Sequence, residues 1–358
     1  MWYDSIIDSG IIPDFIMKQA LAINLRQAIP EKNKTADKKR EELADFAELL
    51  KKQPVALKTD DTKKQHYEVP TDFFTHVLGS CMKYSCCLWN DESASYKKRE
   101  NLDRAETDML ALTAERAGVE NGMRILDLGC GWGSLSLYLA GRFPQCDITA
   151  VSHSATQKKW IDRQAAEMKL DNINVITADM NSFEAQDKTD KSDHPEKYDR
   201  IISIEMFEHM RNWDELFARI SRWLKEDGRF FMHVFTVEGA PYFFDADNDK
   251  DWMARNFFAG GMMPSAELPS CFPDHLTVEK TWKINGTHYA KTLLAWLCLM
   301  DKNKNQIMPV LESTYGDEAI RWWNRWRLFF LSSAVVFGYD KGEIWNVTHF
   351  LMKKSKSA

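Results

Sequence analysis

The chain of 358 residues is 44% hydrophobic and 28% charged, which fits a folded globular protein and excludes a fibrous or disordered one. A formal net charge of −6 argues against nucleic-acid binding driven by phosphate attraction, and no apolar run reaches the roughly 18 residues that a spanning helix needs, so no stable membrane insertion is expected. The opening residues, MWYDSIIDSGIIPDF, carry no basic stretch and no cleavable apolar core, and the seven cysteines are thinly spread, which together point to a reducing compartment, the cytoplasm.

Residues 1–60 read as a helical N-terminal extension. Ile6, Ile7, Ile11, Ile12, Phe15, Ile16, Ala20, Leu21 and Leu25 recur at helical spacing around Gly10 and Pro13. In EKNKTADKKREELADFAELLKK the charges alternate in sign while Leu43, Phe46, Leu49 and Leu50 form an apolar stripe, so a surface helix is predicted that stops before Pro54. Residues 61–120 begin with the polar link TDDTKKQ. HYEVPTDFFTHVL, a turn at Gly79-Ser80, MKYSCCLW and a helix near Lys97–Ala117 then make a cap leading into the main unit.

Residues 121–235 alternate strand and helix. Strands are predicted at GMRILDLG, CDITAVSH, NINVITADM, within YDRIISIEMFEHM and at RFFMHVFT, and helices at SLSLYLAGRF, ATQKKWIDRQAAEMKL and WDELFARISRWLK. That alternation means βαβ units and a parallel sheet. EAQDKTDKSDHPEK is charged and turn-rich and reads as a solvated loop. Residues 236–358 hold an insertion rich in aromatics, Gly and Pro (FFAGGMMPSAELPSCFP), the helix AIRWWNRWRLFFLSSAVVF, and a returning strand in GYDKGEIWNVTHFLMKK that completes the sheet.

The strongest chemical signal is Leu126-Asp127-Leu128-Gly129-Cys130-Gly131-Trp132-Gly133-Ser134, where the first strand meets its helix. Glycines there permit positive φ and close approach of a ligand to the backbone. The pattern is neither the dinucleotide G-x-G-x-x-G nor a P-loop, which would carry a lysine. D-x-G-x-G in this place resembles the S-adenosylmethionine (SAM) site of class I methyltransferases, with Asp127 near the methionine ammonium and Gly129 and Gly131 leaving room for the nucleoside. Asp179, at the end of the third strand beside Met180, can accept the adenine amino hydrogens. The second strand lacks the acid that usually grips ribose hydroxyls, and Gln157, at the start of the next helix, is the candidate to take that place.

Ile204-Glu205-Met206-Phe207-Glu208-His209 closes the fourth strand. In open α/β sheets ligands bind beyond the carboxyl ends of the strands, so two carboxyls and an imidazole there would face the transferred group. A carboxyl against an apolar wall has a raised pKa and can act as a base near neutrality. His233, alone in the apolar strand FFMHVF, is either a satisfied core histidine or part of the same site. Cys86 and Cys87 have no C-x-x-C partner, which favours a structural role over a metal site. The Trp322, Trp323, Trp326, Phe329 and Phe330 set has helical spacing, so it reads as core that could also offer a stacking surface. Arg321, Arg325 and Arg327 beside it read as a solvated face or as contacts to an anionic group.

GCGWGSLSLYLA, HYEVPTDFF with MKYSCCLW, SIEMFEHM, FFAGGMMPSAEL, NGTHYAKT and FGYDKGEIWNVTHFLMKK together resemble the cyclopropane fatty acid synthase superfamily. The closer likeness is to its coclaurine N-methyltransferase branch, and it covers residues 1–355. The resemblance implies a class I SAM-methyltransferase fold: Rossmann-like, with a mixed, mostly parallel seven-stranded sheet, a helical N-terminal cap and substrate-binding insertions. It implies SAM as cofactor, with S-adenosylhomocysteine (SAH) as product, and no metal. Tyr84 and Ser85 match the cap residues that close over SAM. Cys86, Glu208, His233 and Tyr289 match the residues with which the cyclopropane synthases hold a bicarbonate base. Glu205, Glu208 and His209 match the ExxEH of the alkaloid N-methyltransferases, which engages the amine.

The function expected is N-methylation of a small aromatic or alkaloid-like amine. Glu208, helped by Glu205 and His209, would orient the amine and take its proton. The rival is methylene transfer to unsaturated phospholipid acyl chains with bound bicarbonate as base. A homodimer is compatible with either.

Overall fold

Near-continuous apolar runs such as Ile125-Leu126 and Ile201-Ile202 demand a sheet covered on both faces. The computed structural model, which describes residues 8–28, 35–57, 69–185, 197–248 and 251–356, buries all four of these side chains completely. Strands β1 (Arg124–Leu128), β2 (Asp147–Ser152), β3 (Ile173–Thr177), β4 (Tyr198–Ile204) and β5 (Leu224–Val237) run parallel. A small hairpin, β6 (Tyr242–Phe243) with β7 (Met262–Met263), stands apart from them. Strand β8 (Leu276–Ile284) and strand β9 (Trp345–Lys354) complete the sheet, β9 lying antiparallel between β5 and β8. The strand order is β3-β2-β1-β4-β5-β9-β8, so the winding reverses between β1 and β4. That reversal opens the crevice in which ligands of such sheets bind.

Eleven helices are described. In chain order they are α1 (Asp14–Ala28), α2 (Ala36–Lys51), α3 (Thr71–Val77), α4 (Arg99–Ala117), α5 (Ser134–Arg142), α6 (Ala155–Met168), α7 (Trp213–Trp223), α8 (Trp252–Asn256), α9 (Gly286–Lys302), α10 (Lys304–Tyr315) and α11 (Ala319–Gly338). Local chemistry fixes several of their ends. Ser154 caps α6 by accepting from the Gln157 amide at 3.3 Å, and Asn285 caps α9 by accepting from the Thr287 amide at 2.9 Å. α4 stops at Gly118, whose φ is +64°.

The aromatic helix α11 is core. Trp326 and Phe330 are wholly buried, in a cluster that also takes Phe73 and Phe74 of α3 and Trp296 of α9. Residues between Val69 and Met109 and the C-terminal third of the chain thus share one apolar core. The arginines of this helix touch carboxylates, and those carboxylates belong to the chain itself. Arg325 grips Asp8 with two hydrogen bonds of 2.8 and 3.0 Å, Arg327 pairs with both Asp14 and Asp301, and Arg321 pairs with Asp8 and Glu318. They fasten Asp8 and α1 onto α11. The second N-terminal helix goes elsewhere: α2 buries Phe46, Ala47 and Leu50 against the cluster that includes Trp213 and Phe217 of α7.

Three sequence expectations are corrected. Leu49, placed on the apolar stripe of α2, is half exposed. β5 begins at Leu224, five residues before the RFFMHVFT run. The region read as a long insertion also holds β8 and α9. β8 escapes the period-two signal because it is the sheet edge and most of Thr277–Lys283 is exposed or half-buried. Ile6, Ile7, the TDDTKKQ link, His66-Tyr67-Glu68 and nearly all of the EAQDKTDKSDHPEK loop lie outside the described residues.

Candidate active site

The glycine turn is built as its sequence requires. Gly129, Gly131 and Gly133 have φ of +78°, +53° and +79°. A Cβ on Gly129 would lie 2.9 Å from the Met206 side chain, whereas one on Gly131 would meet no atom within 4 Å, because Gly131 faces open space. That space is a cleft of two joined lobes at the carboxyl ends of β1, β2, β4 and β5. The smaller lobe, about 700 Å³, takes in Ser152, His153, Ala178, Asp179, Met180 and Met210. The larger, about 1420 Å³ including its open mouth, runs from Tyr84, Ser85 and Asp127 to an apolar end formed by Phe244, Met253, Phe258, Met263, Trp296 and Phe329. Gly129, Gly131, Gln157, Glu205 and His209 border both.

Asp127 is wholly buried and accepts a 2.5 Å hydrogen bond from the Ser136 hydroxyl. Burial pushes its pKa up to about 6, and the Ser136 bond only partly offsets this. The unfolded chain ionises Asp127 near 3.8 but the folded chain does so only near 6. Stability is therefore lost as pH rises through that window and stays lost above it. Asp127→Asn is expected to match the parent at pH 3.5 and to exceed it by up to about 3 kcal/mol above pH 7, measured by urea unfolding without ligand. A constant difference across pH would remove the buried charge as its cause.

Glu205 is the hub of the second half of the site. It follows β4 with φ of +48°, a conformation that a glutamate rarely adopts. Its Oε1 accepts from the Cys86 amide at 2.8 Å and from His233 Nε2 at 3.1 Å, and its Oε2 accepts from the Tyr289 hydroxyl at 2.5 Å. Lys83, fully buried, donates to Ser85 Oγ and, at 2.8 Å, to the Cys86 carbonyl, and its positive charge favours ionised Glu205. Burial pushes the Glu205 pKa up, and Lys83, the Cys86 amide and Tyr289 offset only part of that rise.

Glu208 is in the opposite condition. It is wholly buried, its Oε1 accepts from the Phe235 amide at 2.8 Å, and its Oε2 has no partner among the described residues. Burial and then the charge of Glu205 hold its pKa well above the usual carboxyl range. Burial raises both carboxyls, Glu208 the further, and three donors converge on Glu205 against one on Glu208, so Glu205 is the better placed of the two to carry the negative charge.

The structure brings Tyr84, Ser85, Asp127, Gly129, Gly131, Gln157, Asp179, Met180, Glu205, His209 and Tyr289 to the walls of one cleft. Gln157 is tied by its Oε1 to the Ser152 hydroxyl at 2.7 Å, and His209 stacks on Phe258 at 4.8 Å. Cys86, His233 and Glu208 do not reach the surface of the cleft; all three are fully buried behind it. Of the four residues expected to hold bicarbonate, three supply donors to Glu205 instead: Cys86 by its amide, His233 and Tyr289. Sequence reasoning missed Lys83, Ser136, Arg116 and His349. Lys83 sits between Met82 and Tyr84, and His349 follows Asn346 and Thr348 in the strand WNVTHFLM.

The sheet order, the antiparallel strand at β9 and an acid followed by a glycine turn at the switch point define a class I methyltransferase fold. The model of the family "Mycolic acid cyclopropane synthetase" matches residues 56–347. The (S)-coclaurine N-methyltransferase of Thalictrum flavum subsp. glaucum is 33% identical over 354 residues, covering 97% of this chain and 94% of that protein. That of Papaver somniferum is 33% identical over 97% of this chain and 96% of its own length. A solved coclaurine N-methyltransferase bound to N-methylheliamine and SAH superposes with a TM-score of 0.89 at 33% identity, covering 98% of each chain. The chain belongs to the mycolic acid cyclopropane synthetase family.

Proposed function

We propose that this chain is a SAM-dependent N-methyltransferase acting on a small aromatic or alkaloid-like amine. The observation that carries the reading is the carboxylate of Glu205 seated among the Cys86 amide, His233 and Tyr289 at the floor of the cleft. The relatives that match the chain nearly end to end are amine methyltransferases by name. The donors that would hold a bicarbonate are taken up by Glu205, which weighs against the lipid reading.

SAM fits the residues of the two-lobed cleft. Asp127 offers a carboxylate to its ammonium, the side of Gly131 is open, and Gln157 and Asp179 offer acceptors toward its sugar and base. When bound, it supplies an electrophilic methyl group on a sulfonium sulfur. The chain's own residues do the rest by positioning. A carboxylate has about four acceptor positions. Glu205 commits two on Oε1 and one on Oε2, which leaves one to receive an amine N–H. The apolar end of the large lobe removes water from the amine and favours its neutral, nucleophilic form. His209, bordering both lobes, lies where it can receive the proton that the methylated product sheds. Glu208 keeps its own proton and holds the Phe235 backbone. We place the enzyme in the cytoplasm, where the seven thiols stay reduced.

The test is incubation with SAM and a panel of aromatic amines and unsaturated phospholipids, read by mass for the gain of one CH₂. Gain on an amine alone is the expected result, and gain on phospholipid alone overturns the reading. With an accepted amine, kcat/KM is expected to rise with pH through the neutral range and level off in mild alkali, because only the neutral amine has a free lone pair. A rate that falls over that range would exclude an amine nucleophile.

A further inference from the structure

Behind Glu205 runs a line of polar groups that crosses the sheet within its otherwise apolar interior. His233 on β5 donates or accepts at both ring nitrogens: Nε2 lies 3.1 Å from Glu205 Oε1 and Nδ1 lies 2.9 Å from His349 Nε2. His349 is its register partner on β9, and the second nitrogen of His349, Nδ1, lies 2.9 Å from Nη1 of Arg116, in the last turn of α4. The Arg116 guanidinium lies 5.0 Å above the ring of Trp282, which is the register partner of His349 on β8. The line thus follows the register Ile204, His233, His349, Trp282 through four neighbouring strands and ends on Glu205, the residue after Ile204. Both imidazoles are fully buried.

The direction of this chain is fixed at its far end. A guanidinium can only donate and keeps its charge. His349 Nδ1 must therefore accept, which places its hydrogen on Nε2. That hydrogen points at His233 Nδ1, which must accept in turn, so His233 also carries its hydrogen on Nε2 and donates it to Glu205. Each bond polarises the next toward the carboxylate.

We propose that Arg116 and His349 are positioning residues for the transfer reaction, acting through His233 to hold Glu205 oriented and ionised, and that the chain conducts no proton. Outward passage would need His233 Nε2 to be bare, and a proton reaching His349 Nδ1 would face a guanidinium that cannot take it. The amine's proton therefore leaves by way of the cleft. This rests on the reading of Glu205 as the group that meets the amine. Other charged or titratable groups around Glu205 are Lys83, Glu208, Tyr289 and Cys86, none of which belongs to the line.

The test has two arms on the full chain. Nitrogen-15 spectra of the histidines are expected to show both His233 and His349 neutral, with bare Nδ1 and protonated Nε2, at every pH at which the protein is folded. His349→Asn and His233→Asn supply the assignments. Finding either ring protonated at Nδ1 overturns the proposal, and this readout needs no substrate, so it stands or falls separately from the amine reading. In the kinetic arm, Arg116→Met is expected to lower kcat about tenfold, the worth of one charge-assisted hydrogen bond. The amine KM and the SAH-induced rise in melting temperature should hold, and Arg116→Lys, which still donates, should recover most of the loss. Unchanged kcat in a folded Arg116→Met overturns the proposal, and so does equal damage in the lysine variant.

Discussion

Glu205→Ala is expected to lower kcat by roughly 10²-fold or more, in the range of lost general-base and positioning groups, while SAH binding stays near that of the parent. Two effects add. The amine loses the acceptor that orients it, and the Cys86 amide, His233 and Tyr289 are left pointing at a space without a carboxylate. The second effect offers a sharper readout than loss of activity. Those three donors form an anion cradle of the size of one carboxylate, so added formate or bicarbonate is expected to restore part of the lost turnover in the alanine variant and to do nothing for the parent. Tyr289→Phe removes one donor and leaves the carboxylate in place, so its cost is about tenfold, from a bond worth about 1.5 kcal/mol. A parent enzyme that needs bicarbonate, with Tyr289→Phe more damaging than Glu205→Ala, would return the protein to the lipid-modifying side of its family.

Asp127→Ala is expected to abolish the stabilisation that SAM or SAH confers. A ligand that binds only the folded state stabilises it by about 2.7 kcal/mol at a hundred times its Kd, so the parent's melting temperature should rise clearly with either compound. Asp127 is the buried carboxyl at the head of the glycine turn, and the only hydrogen bond its carboxylate receives among the described residues comes from Ser136, leaving acceptor capacity for the ligand's ammonium. Alanine removes the counter-charge and leaves the fold. A variant whose melting temperature still climbs with SAH as the parent's does would place the ammonium elsewhere.

Much of this was legible in the sequence, for reasons particular residues make plain. The βαβ alternation showed because β1, β2 and most of β5 are near-continuous buried runs separated by amphipathic helices. The glycine turn showed because three positive-φ positions and an acid leave a fixed spacing. β8 did not show, because an edge strand with Lys280 and Lys283 in it carries little apolar signal. The roles within ExxEH were not legible either. Glu205 and Glu208 are three residues apart and chemically alike, and only the φ of +48° at Glu205 and the short 3₁₀ turn Phe207–His209 turn one toward the cleft and the other into the core. Nor can a sequence reveal that His233 and His349, more than a hundred residues apart, are bonded through a strand register.

The placement of β9 bears on how such a chain is made. β5 and β8 pair only through β9, whose ten residues come after all the other strands of this sheet in chain order, although they lie inside the sheet and not at its rim. While residues 345–354 are still in the exit tunnel, the emerged chain can pair its five parallel strands, but β5 keeps an open edge and β8 has no neighbour. His349 arrives with that same strand. Closing the sheet, covering the open side of β5 and bringing His349 between His233 and Arg116 are thus one event, which leaves only β3 and β8 as edges.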